Sequence, residues 1–160
     1  MQYLYSILSW KRCLILSIGV LASLIVLNFY GLYSNRFYLF KLDNYIFPVL
    51  SLLHFTFLYV FWFKIKEQEF PDPRMRNLEY SLYVLFVIYI FNTLETAKIL
   101  LSHHEYSKHL IPTTFFPVGG VIIALQCLLL LLTLVTFGHR KRLIGDYKTD
   151  YLDDHLEPWD

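Results

Sequence analysis

Between Lys108 and Arg140 the chain carries no Lys, Arg, Asp or Glu, and an uncharged run of that length leaves few folds open. About 20 apolar residues in a helix cross a hydrocarbon core of about 30 Å with every backbone group bonded internally. Residues 115–137 meet that requirement, as do residues 13–33, 45–63 and 80–101. With 56% hydrophobic and 19% aromatic residues in 160, a soluble domain of this size could not hide so much apolar surface. The sequence therefore predicts an all-α, polytopic integral membrane protein. Residues 1–137 form one four-helix transmembrane bundle, and residues 138–160 form an acidic-aromatic tail.

Charge placement orients the bundle. Lys11 and Arg12, then Lys64, Lys66, Arg74 and Arg76, then Arg140, Lys141, Arg142 and Lys148 fall on one side, ten of the fourteen basic residues. The other side has Arg36, Lys41 and Lys108, and Lys98 lies within the third span. The positive-inside rule then puts both termini in the cytoplasm and the connections 34–44 and 102–114 outside, with a bacterial inner (cell) membrane as the expected setting. Residues 1–12 show no small-residue cleavage site and predict an interfacial lead-in with Trp10 at headgroup level. Residues 64–79, with Pro71 and Pro73, predict a helix-breaking loop, and Thr114 is placed to cap the fourth span. Gly19, Ala22 and Ser23 form a small-residue stripe of the kind that seats a neighbouring helix.

One polar stretch interrupts the third span, Asn92-Thr93-Leu94-Glu95-Thr96-Ala97-Lys98. A charged side chain at mid-membrane disfavours insertion by about 2.5–3.5 kcal/mol, so it needs a partner or a nearby interface. At about 1.5 Å rise per residue, His54, Asn92 and Gln126 lie about 13–17 Å deep, and Glu95 and Asn28 about 8–9 Å below the outer edge. Asn92, Glu95 and Thr96 share one helical face, while Gly119, Gln126 and Thr133 recur every seven residues on another, and both faces should point inward. These five residues, His54, Asn92, Glu95, Gln126 and Asn28, form the predicted intramembrane polar layer, with Glu95 expected to be buried against other helices. Polar glue between helices is the ordinary reading of such a layer, and Lys98, one turn outward, could pair with Glu95.

Other chemistry finds little support. The two cysteines, Cys13 and Cys127, form no CxxC, which argues against a disulfide framework or thiol relay. One membrane-embedded histidine is too few for bis-histidine haem ligation, and no cofactor is expected. His103, His104 and His109 are weak metal candidates only. The pattern is HExxxH, which spaces its histidines five apart and off a common helix face, so a zincin-type protease is excluded. No catalytic residue is assigned, and the enzyme question stays open, leaning towards no. The near-neutral charge of +1 points to no nucleic-acid partner.

After Arg142 the tail turns acidic, yet Tyr147, Tyr151, Leu156 and Trp159 supply anchors suited to a protein partner. The leading expectation is a small non-catalytic membrane subunit or assembly factor that docks on other integral membrane proteins through its helices and tail. The alternative is a membrane enzyme or carrier that binds a lipid or quinone around Glu95 and His54.

Overall fold

The structure, a computed structural model, describes residues 8–102 and 111–147. Four helices dominate it: α1 (Trp10–Asn28), α2 (Ile46–Glu67), α3 (Pro73–Leu101) and α4 (Phe115–Leu143). All four are long and apolar enough to cross a membrane. Between α1 and α2 lie a small antiparallel pairing of β1 (Tyr30–Gly31) with β2 (Arg36–Phe37) and a 3-10 turn at Leu42–Tyr45.

Side-chain contacts fix the arrangement. Cys13 of α1 meets Thr136 of α4 at 3.3 Å, while Tyr30, just beyond α1, bonds Thr114 at the start of α4. His54 of α2 faces Tyr89 of α3, and Gln126 of α4 reaches Thr96 of α3. Each helix thus runs antiparallel to the next, and α1 packs back on α4, which closes an up-down-up-down bundle. One end, here the hairpin end, carries the β pairing and the start of α4. The other, the basic end, carries Trp10, the α2–α3 turn and Leu143.

Leu21 and Leu24 of α1, Phe57 and Phe61 of α2, Leu82 and Leu85 of α3, and Leu129 and Leu132 of α4 form the core. Gly119 lets α4 approach α3 closely, since a Cβ there would stand 2.4 Å from Leu100 Cδ2. The outward surface is also apolar: Ile15, Val49, Val84 and Leu134 are each more than half exposed. Exposed apolar side chains on every helix suit contact with lipid rather than water.

The helices differ from the expected spans at their ends. α1 stops at Asn28, because the chain turns there into the β pairing, and α4 continues to Leu143. α3 starts at Pro73 rather than beyond residue 79. Asp72 is its N-cap, the carboxylate accepting the Met75 N–H at 2.7 Å, and Pro73 takes the first turn, where no N–H is needed. At 29 residues each, α3 and α4 are about 44 Å long and exceed a hydrocarbon core of about 30 Å.

Two local expectations are corrected. Thr114 makes no capping bond; its hydroxyl meets Tyr30 Oη at 3.2 Å instead. The stripe of Gly19, Ala22 and Ser23 faces outward, and a Cβ on Gly19 would meet nothing within 4 Å, so no helix of this bundle is seated on it.

Candidate functional site

The hairpin half of the bundle holds a cavity of about 460 Å³, within the usual range for small-molecule sites. All four helices contribute. Asn28 and Leu24 come from α1, Leu50 and Phe47 from α2, Ile88, Asn92, Glu95 and Thr96 from α3, and Ile122 and Gln126 from α4. Asp43 and Asn44 of the 3-10 turn complete the wall. Asn28 Nδ2 donates to the Asn44 carbonyl, which ties this turn to the end of α1.

Four residues of the predicted polar layer therefore meet on one cavity: Asn28, Asn92, Glu95 and Gln126. Helical spacing explains the α3 face, since Asn92, Glu95 and Thr96 lie three and four residues apart. Gln126 crosses from α4 and donates through Nε2 to Thr96 Oγ1 at 3.1 Å. Its Oε1 is buried and has no hydrogen-bond partner among the described residues. Glu95 was expected to pack against other helices, but it is exposed on the cavity wall. Neither Glu95 nor the Asn92 side chain has a hydrogen bond or ion pair among the described residues, and Lys98 does not reach Glu95. The helices leave a hollow there instead of closing over the carboxylate.

His54 stands apart. It follows Leu50, the last α2 residue on the cavity, by one turn, and so falls beneath the floor. There it is fully buried, its ring stacked on Tyr89 at 5.9 Å and its Nδ1 3.3 Å from Tyr89 Oη. Its Nε2 has no hydrogen-bond partner among the described residues. The shared depth of His54, Asn92 and Gln126 was a matter of distance along the axis, and depth does not fix which way a helix faces.

The basic end contains a second polar cluster that the sequence did not suggest. Glu79 of α3, 1% exposed, receives Arg140 Nη2 at 2.7 Å and Tyr83 Oη at 2.7 Å on one oxygen, and Tyr147 Oη at 2.6 Å on the other. The guanidinium also lies 4.6 Å from the centre of the Tyr147 ring and donates to the Gly145 carbonyl. Gly145, at φ +102°, supplies the backbone reversal that brings Tyr147 back onto the bundle. Burial, reinforced by the Glu79 carboxylate, pushes the Tyr147 phenol well above its usual range.

Tyr147, expected as a partner anchor, is thus engaged by its own bundle. Tyr151, Leu156 and Trp159 lie outside the described residues, as do His103, His104 and His109. One signal could have pointed to the cluster. Asp72-Pro73 is an N-cap followed by a first-turn proline, and starting α3 there puts Glu79 and Tyr83 one turn apart on a helix. Nothing local marks which of Arg140, Lys141 and Arg142 turns inward.

Beside this cluster Lys64, 8% exposed, bonds Glu69 at 2.8 Å and Asp72 at 2.9 Å and locks the α2–α3 turn. Burial opposes ionisation of Asp72, but the Met75 N–H and the Lys64 ammonium outweigh it and hold its carboxyl below the ordinary range.

Fold and cavity together define a four-helix bundle whose helices are long and apolar enough to cross a membrane, with a polar hollow in one half. Neither a family model, nor a curated protein, nor a solved structure matches the chain.

Proposed function

We propose that this chain is a non-catalytic membrane protein that binds a lipid-soluble, polar-headed molecule in the hairpin-end cavity. The observation that carries this reading is the cavity wall itself, where the Asn92 and Glu95 side chains line one hollow without a hydrogen bond or ion pair among the described residues. Polar groups that served only as glue would be expected to bond each other across the helices, as Gln126 and Thr96 do. His54, paired with Tyr89 beneath the floor, belongs to the packing in this reading. The basic end faces the cytoplasm, as the charge asymmetry supports, so the cavity lies towards the outer face of what we take to be a bacterial inner membrane.

Purification in mild detergent, followed by mass spectrometry of bound small molecules, tests the proposal. A stoichiometric amphiphile that is lost on Ile88→Trp, which fills the cavity, is the expected result. A protein that carries no more small molecule than the Ile88→Trp variant would sink it.

A second reading, an accessory subunit of a larger membrane complex, draws on a separate observation. Gly19, Ala22 and Ser23 present a flat outward strip on α1 that the bundle leaves uncovered, a surface against which another membrane helix could pack closely. The same purification reports on it, through co-purifying membrane chains that are lost on Gly19→Leu.

A further inference from the structure

We propose that the hairpin-end cavity selects an amphiphile with a primary ammonium head, held by Glu95 and Asn92. This rests on the binding function proposed above and names its ligand class.

The unpartnered groups on the wall are mostly acceptors. Gln126 has committed Nε2 to Thr96 at 3.1 Å and its Oε1 is buried, so it offers the cavity no free donor. The Thr96 hydroxyl is committed too, since it donates to the Asn92 carbonyl at 2.9 Å. The Glu95 carboxylate has only acceptor oxygens, and Asn92 adds an amide oxygen beside its own NH₂. An ammonium offers three N–H donors and a positive charge, and so satisfies the Glu95 carboxylate and the Asn92 amide oxygen together. A neutral carbonyl head brings no donor and would leave the Glu95 carboxylate unmet. A phosphate or carboxylate head would add like charge to Glu95.

Neighbouring charges do not supply what is missing. Lys41 pairs with Asp43 at 3.7 Å, which partly neutralises the other carboxylate on the wall. Lys98, one turn from Glu95, makes no ion pair with it among the described residues. Leu24, Leu50, Ile88 and Ile122 supply the apolar lining for an aliphatic chain. A carboxylate in a membrane-spanning helix is costly without a counter-charge, and a bound ammonium provides one.

The test uses the full-length protein in nanodiscs of phosphatidylcholine, whose headgroup has no N–H. The probes are a long-chain primary amine carrying a photoreactive diazirine on its chain and the alcohol of the same length, with labelled peptides mapped by mass spectrometry. The amine should label the cavity-lining segments of α2, α3 and α4 at least about tenfold more than the alcohol. Glu95→Gln should bring it down to the alcohol's level, and Asn92→Leu should reduce it several-fold, each variant keeping the wild-type size-exclusion profile. If Glu95→Gln fails to fold, Asn92→Leu alone decides. Equal labelling by amine and alcohol, unchanged in the variants, would overturn the ammonium assignment and leave the binding function standing. Cavity labelling by neither probe would overturn both.

Discussion

Glu79 and Arg140, 61 residues apart in sequence, meet at 2.7 Å at the basic end of the bundle and join α3 to α4 through a buried ion pair. Tyr83 and Tyr147 supply the remaining donors to the carboxylate. Breaking such a pair by removing one partner leaves an uncompensated buried charge and costs about 3–5 kcal/mol, whereas replacing both by apolar groups is often close to neutral. Glu79→Leu and Arg140→Met should each lower stability by about that amount, and the double variant should lose much less than their sum. Unfolding of the four proteins in mixed micelles measures the coupling. Additive losses would mean that the pair contributes nothing as a pair.

The Tyr147 contact predicts a sharp boundary in the tail. Tyr147→Phe leaves one Glu79 oxygen without its donor and should cost about 1–3 kcal/mol. Truncation after Tyr147 should leave the melting temperature near that of the intact protein, while truncation after Gly145 should lower it as much as Tyr147→Phe or more. Equal melting temperatures for the two truncations would show that Tyr147 does not secure the bundle.

Asp72 gives a pH dependence of defined sign. Its folded pKa lies below the ordinary carboxyl value of 3.8, so its contribution is fully present above that value and is lost as pH falls through the folded pKa. Asp72→Ala should cost about 1 kcal/mol as a lost N-cap at pH 7, and progressively less as pH falls below 3.8 towards the folded pKa. The carboxylate is 40% exposed, so molar salt should reduce the Lys64 part of the effect. A difference between wild type and variant that stayed constant from pH 7 to pH 2 would rule out this linkage.

The proposed orientation is open to a direct measurement. In a Cys127→Ser background, a cysteine at Arg36, on the exposed β2 strand, should react in whole cells with a membrane-impermeant maleimide. A cysteine at Lys66, at the basic end of α2, should react only after the inner face is opened. The reverse pattern would invert the topology.

Much of the architecture was legible in the sequence because helices long and apolar enough to cross a bilayer obey a one-dimensional constraint. An uncharged apolar run must become a helix, its length is set by the membrane, and the number of such runs gives the number of helices. The polar face of α3 was legible for a related reason: Asn92, Glu95 and Thr96 follow the helical period, and their depth follows from residue rise. Rotation about the helix axis, by contrast, is settled by packing against neighbours. The chain alone could not say that His54 sits beneath the cavity against Tyr89, that Gly19 and Ser23 face outward, or that Glu95 borders a hollow.

The basic end was the least legible part, because its energetics depend on pairs far apart in the chain. Glu79 read as a loop residue and Arg140 as one of three interfacial cations, and neither has a local pattern that names the other. Only the antiparallel docking of α3 on α4, with Gly145 turning Tyr147 back, brings them together out of water, where a carboxylate must find its donors within the protein. Sequence determined how many helices there are, where their apolar lengths lie and which residues are too polar to face lipid at no cost. Tertiary structure decided which of those residues satisfy one another and which are left facing a cavity, because hydrogen bonds and ion pairs depend on distances of a few ångströms that only packing sets.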